Sequence, residues 1–186
     1  MKGTGVYPTG IDGFNWCTFC CFDPKAWQDL TPPEDGVNIA LYHGPVNGSL
    51  TDQDWEINGD SIKVDFFQGY DYVMLGDIHK TDQKVDNDGR ARYPGSLVQQ
   101  NHGESNDKGY LIWDIQDKNT WTTRHVSLTN PKPFITIELT RKGRMPKNIS
   151  IPLGARLRLV SNNNLPLDSM KRAVDVAKHR FKPETI

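Results

Sequence analysis

Two short apolar runs, each stopping on potential metal ligands, constrain this chain most. Val37 to Tyr42, "VNIALY", ends in His43-Gly44, and Tyr72 to Gly76, "YVMLG", ends in Asp77-Ile78-His79. Each run has the length and composition of a buried strand with a turn after it. In open α/β sheets, sites form beyond the carboxyl ends of the strands, so neighbouring parallel strands would bring these groups together. Imidazole and carboxylate suit manganese, iron or zinc, and carboxylate weights the choice toward a harder ion. Taken alone, His43 reads more readily as a hydrogen-bonded strand-end residue than as a ligand. Two strand ends carrying ligands favour a metal site.

The rest of the chain reads as further strands and one helix. "FNWCTFCCF" (14–22), "RARYP", "GYLIWDI" (109–115), "TTRHVSL" (122–128), "FITIEL" (134–139) and "ARLRLV" (155–160) are strand-like, with a hairpin turn at Asp117 to Thr120. Residues 60–68 suit either a short helix or a strand. A helix begins at Asp168, with Met170, Ala173, Val174, Ala177 and Phe181 as its apolar stripe, and ends before Pro183. The glycines near the start are not a phosphate cradle, because no Gly-Lys-Ser/Thr follows. Cys17-x-x-Cys20-Cys21 is half a zinc-site signature, and buried thiols on a strand are the plainer reading.

Charge divides the chain near Pro131. Residues 1–130 carry 10 Lys and Arg against 19 Asp and Glu, and residues 131–186 carry 12 against 4. A net of −9 followed by +8 points to cations as partners of the first part and polyanions as partners of the second, or to mutual attraction of the two. Arg156 and Arg158 on their strand, and Lys171 and Arg172 on the helix, are the candidates for phosphate contacts. Cations late in the helix also complement its dipole. No apolar run approaches the roughly 18 residues of a membrane span. Met1-Lys-Gly-Thr-Gly lacks the apolar block of a secretory signal, so a cytoplasmic protein is expected.

"NIALYHGPVNGS", "YDYVMLGDIHK" and "RYPGSLVQQNHGESNDKGYLIWDI" together resemble calcineurin-like metallophosphoesterases, closest to the SbcD / Mre-eleven DNA repair exonucleases and their phage recombination relatives. The order of motifs is similar to the later half of that catalytic domain, where one strand ends in His-Gly and the next in Gly-His-x-His. The resemblance implies that His43 and His79 hold the two metal ions. Asp77 stands where the family has the first His, so it either ligates as a carboxylate or orients a neighbour. The alternative, with Asp77-Ile78-His79 as an opening motif and Asn101-His102 as a later one, leaves 21 residues between His79 and Asn101. A βαβ unit takes about 30.

What the resemblance implies is an α/β fold: part of a strand-rich metallophosphoesterase β-sandwich over residues 1–130, then the start of an α+β, DNA-facing capping domain over 131–186. The implied activity is metal-dependent phosphodiester hydrolysis of DNA, with two divalent ions, manganese foremost, and an SMC-like ATPase as partner. The family's opening Asp-x-His, bridging Asp and Asn-His-Asp/Glu are not found upstream of His43. The expectation is therefore a partial nuclease, inactive alone, with partial or no metal binding, that pairs with a complementary fragment or with itself. Two other functions stay open: a non-catalytic DNA-binding or subunit-interaction module, and a related phosphoesterase acting on another substrate.

Overall fold

The structure is a computed structural model that describes residues 3–186. Met1 and Lys2, on which the reading of the leader partly rests, lie outside the described residues. The chain forms two compact units, one running up to Leu97 together with Asp107–Leu128, the other comprising Val98–Asn106 and Thr129–Ile186.

The first unit holds eight strands: β1 (Gly5–Pro8), β2 (Phe14–Phe19), β3 (Val37–His43), β4 (Tyr72–Gly76), β5 (Gln83–Lys84), β6 (Ala91–Tyr93), β7 (Gly109–Ile115) and β8 (Trp121–Ser127). Six make one sheet in the order β1-β2-β3-β4-β6-β5. β2, β3, β4 and β6 run parallel, and β1 and β5 close the edges antiparallel. A parallel sheet wants both faces covered, which explains why β3 and β4 are apolar nearly throughout. On one face Phe19, Ala40, Tyr42, Val73, Leu75 and Tyr93 pack with loop residues such as Val46 and Phe67. On the other, Val37, Ile39 and Tyr72 pack under Trp113, Ile115 and Trp121 of the β7–β8 hairpin. Further along that face Leu41 and Met74 are only half-buried. The hairpin turn is closed by Asp117, whose carboxylate accepts from the Asn119 and Thr120 amides at 2.7 Å each.

The second unit is smaller. β9 (Phe134–Glu138) and β10 (Arg156–Val160) pair in parallel, and the helix α1 (Leu167–Phe181) packs on one side of them. Its core is Ile137, Ala155, Leu157, Ala177 and Phe181. α1 ends where Lys182 turns left-handed, with φ of +46°.

The expected α/β class, a partial β-sandwich with the start of an α+β cap, is corrected by this arrangement. The described residues carry ten strands in three small sheets and a single α-helix, so the protein is mostly β. Parallel neighbours are usually joined through an α-helix. Here the connections after β2 and β3 contain only the 3-10 turns Pro24–Asp29 and Val64–Phe67, and the one after β4 contains β5. Pro24, Pro32 and Pro33 in the first connection, and Gly44, Pro45, Gly48, Gly59 and Gly69 in the second, oppose helix formation. No helix among the described residues is long and apolar enough to cross a membrane.

Candidate functional site

Because β2, β3, β4 and β6 are parallel, their carboxyl ends share one edge of the sheet. The β3–β4 register sets His43 opposite Gly76. The ladder runs one step further, with the Gly44 amide donating to the Gly76 carbonyl at 3.1 Å. At Gly76 a Cβ would sit 2.6 Å from Nδ1 of the exposed His43 ring, so a side chain there would turn that ring aside. The next residue, Asp77, has φ of +97°, a left-handed backbone that side-chain-bearing residues rarely adopt. Such strain collects at functional sites. Asp77 and His43 are exposed, Ile78 between the two candidate ligands of β4 is buried, and His79 is half-buried.

Several buried polar groups hold this edge. Lys108 is only 1% exposed, and its ammonium donates to the His79 carbonyl and to Asp52 Oδ1, both at 2.6 Å. The Asp52 side chain is itself 6% exposed. The Ser96 amide donates to the same His79 carbonyl at 3.3 Å. Gly95, with φ of +87°, lies so close that a Cβ would fall 2.9 Å from the His79 carbonyl oxygen and 2.9 Å from Thr81 Cα. Tyr93, wholly buried, donates its hydroxyl to the Gly44 carbonyl at 2.7 Å. Burial pushes the Tyr93 phenol up to about 12, so it stays a donor at neutral pH. Burial, and then the charge of Asp77, also raises Tyr42. Arg92, buried on β6, ties Asp82 to Thr123 of β8.

Lys108, Asp52 and Tyr93 were not singled out by sequence. Asp52 sits in a polar loop, and Lys108 precedes an ordinary strand, so no periodicity marks either. The signals that touched them were the Tyr-Pro-Gly-Ser and Lys-Gly motifs, whose packing against the His79 loop is visible only in three dimensions.

His43, Asp77 and His79 therefore stand on adjacent strand ends, but they do not form a finished cage. Among the described residues no group of three or more His, Cys, Asp or Glu is placed to hold a metal ion. A manganese or magnesium ion asks for about six ligands, mostly oxygen. His43, Asp77 and His79 amount to at most part of such a set. The cysteines are free thiols: Cys17 is buried in β2, Cys20 half-buried and Cys21 exposed. Burial, with the charge of Asp71 adding, pushes the Cys17 thiol up to about 11. Asn101 and His102 belong to the second unit. Asn101 serves a turn, accepting from the Gly103 amide at 2.7 Å and donating to Glu104 at 2.7 Å. The His102 ring packs edge-on to Phe134, 5.0 Å between centroids.

The four candidate phosphate contacts divide between two sides of the second unit. Arg156 and Arg158 flank Leu157, which points into the core beneath α1, so both guanidinium groups lie on the opposite face of the β9–β10 pair. Arg156 is held by Glu184 at 2.9 Å and lies 4.9 Å over the Phe134 ring. Arg158 donates to Thr136 Oγ1 at 3.1 Å and to the His102 carbonyl at 3.4 Å. Lys171 and Arg172 are exposed on α1, with Arg172 donating to Ser169 at 3.2 Å.

No family model matches the chain. Over 138 residues, 74% of its length, it is 35% identical to an uncharacterized protein of Acanthamoeba polyphaga mimivirus. The match takes in 10% of that protein, so the chain spans about a tenth of the length of the relative it matches.

Proposed function

We propose that this chain is part of a metal-dependent DNA phosphodiesterase of the SbcD / Mre-eleven type, supplying one side of the metal centre and not cleaving DNA by itself. The observation that carries this reading is the paired strand end, where His43 stands opposite Gly76 and the strained Asp77 leads to His79. His43 and His79 would each offer an imidazole, and Asp77 a carboxylate, to ions completed by groups outside this set. Metal ions in such centres activate water and steady the leaving oxygen. Lys108, Ser96 and Gly95 fix the backbone that carries His79. The proposal extends to an SMC-like ATPase as partner, to a complementary fragment or a second copy that completes the site, and to a cytoplasmic setting.

A second reading, a DNA-binding or subunit-interaction module without catalysis, is favoured by the incomplete donor set. Two measurements separate them. Calorimetry with manganese is expected to find weak binding that His43→Ala and His79→Ala each abolish. Binding unchanged in both variants, or none in the wild type, supports the module and overturns the proposal. Incubation with manganese and linear DNA is expected to leave the DNA intact. Robust cleavage that His79→Ala abolishes would overturn the claim that this chain is inactive alone.

A further inference from the structure

We infer that the second unit binds a nucleic-acid backbone in a basic groove between α1 and the loop joining β9 to β10. The groove has a volume of about 530 Å³, and five of its lining residues are cations: Lys142, Arg144, Lys147, Arg172 and Arg180. No Asp or Glu lines it; the α1 acids Asp168 and Asp175 lie elsewhere. Of the four cations that sequence alone put forward, only Arg172 belongs to it.

The local fold builds this charge deliberately. Arg141 to Arg144 make a tight turn, in which the Thr140 amide donates to the Arg144 carbonyl at 2.9 Å and the Gly143 amide to the Thr140 carbonyl at 2.8 Å. Gly143 has φ of +68°, and a Cβ there would press on Ser169 and Leu165 at 3.3 Å. The turn is thereby seated against the first turn of α1, which sets Lys142 and Arg144 beside Arg172. At the other end Arg180 reaches across from α1 and donates to the Lys147 carbonyl at 3.1 Å. Among the described residues Lys142, Arg144, Lys147 and Arg172 form no ion pair with a carboxylate, and all four are exposed.

Five like charges held together repel one another unless an anion joins them. An open groove without aromatic lining does not grip a base or a single nucleotide. It suits a repeating row of phosphates, which guanidinium and ammonium groups contact without reading sequence. The inference rests on the proposal that the chain acts on DNA, and it names which surface of the second unit does the holding.

The test is fluorescence anisotropy of the whole 186-residue chain with a labelled random-sequence duplex, titrated at several salt concentrations. Lys142→Glu with Arg144→Glu is expected to weaken binding at least tenfold and to flatten the salt dependence, each lost phosphate contact removing about 0.9 from the log–log slope. Lys25→Glu with Lys63→Glu, an equal charge change on exposed lysines of the first unit, is expected to leave affinity within twofold. Circular dichroism checks that both double variants keep their fold. Equal losses in the two pairs would reduce the effect to net charge and overturn the groove. Loss confined to Arg156→Glu with Arg158→Glu would move binding to the other face and overturn the groove while leaving the proposed function standing. Wild-type chain that ignores DNA, or binds free inorganic phosphate equally well, would overturn both.

Discussion

The two units solve different problems with the same resources. In the first, the important edge is held by a close backbone approach and a buried polar clamp: Gly95 against His79 and Thr81, and Lys108 between Asp52 and the His79 carbonyl. In the second, a small apolar cluster of Ile137, Leu157, Ala177 and Phe181 supports a shell of solvated cations. The first arrangement fixes the backbone of the His79 loop through buried contacts. The second sets a field, for which exact positions matter less. A surface charge tolerates change that a clamp does not.

The largest effect is expected at the clamp. Removing one partner of a buried ion pair typically costs about 3–5 kcal/mol, because the other charge is left unpaired. Lys108→Met takes the ammonium away from the buried Asp52 carboxylate and the His79 carbonyl, and should lower stability by that order in denaturant unfolding. The exposed Lys118, 3.8 Å from Asp71, gives the contrast. Lys118→Ala should change stability by less than about 1 kcal/mol. Similar losses at both would erase the distinction between a clamp and a surface charge.

In the second unit the comparable weak point is apolar. Phe181→Ala, at a buried ring in the last turn of α1, should cost about 3 kcal/mol. Since α1 is the single α-helix among the described residues, the loss should appear as earlier melting of the helical circular-dichroism signal.

A smaller effect isolates close approach from backbone conformation. Gly95 and Gly48 have similar φ, +87° and +84°, but only Gly95 would press a Cβ onto neighbouring backbone. Both alanine variants pay for the left-handed conformation. Gly95→Ala should pay about 1–3 kcal/mol more, the usual cost of overpacking. Equal melting temperatures would mean that the His79 loop moves aside easily, and would weaken its role as a fixed carrier.

A modest pH effect should separate the units further. Burial, and then the charge of Arg158, holds His102 below its ordinary value of 6.5. The folded second unit then binds fewer protons than the unfolded chain. The stability is present above about 6.5 and is lost as pH falls from there through the lowered folded value. The melting temperature of α1 should drop on acidification through that window, and His102→Gln should flatten the dependence. A wild-type profile as flat as the variant's would contradict the burial of this ring.

Most strands were legible in the sequence, and most of the class was not. The continuous apolar runs of β3 and β4 and the alternation of β10 are local signals, and they correspond to Val37–His43, Tyr72–Gly76 and Arg156–Val160. The stripe of α1 is equally local. The α/β expectation failed because a parallel sheet is normally wound with helices, whereas these connections are too rich in proline and glycine to form them. The strand-end placement of His43 and His79 could be read from sequence. Their support could not, since Lys108 and Asp52 are 56 residues apart and meet only in the fold. The phosphate candidates show the same limit: strand alternation placed Arg156 and Arg158 on one face correctly, but nothing in the sequence said that α1 covers the other.

The most direct test of the strand-end centre is anomalous scattering from crystals of the chain soaked in manganese. The expected result is a peak within ligand distance of His43 and His79 that disappears in His79→Ala. No peak at that edge, or one that persists unchanged without the imidazole, would contradict the assignment of these strand ends to a metal.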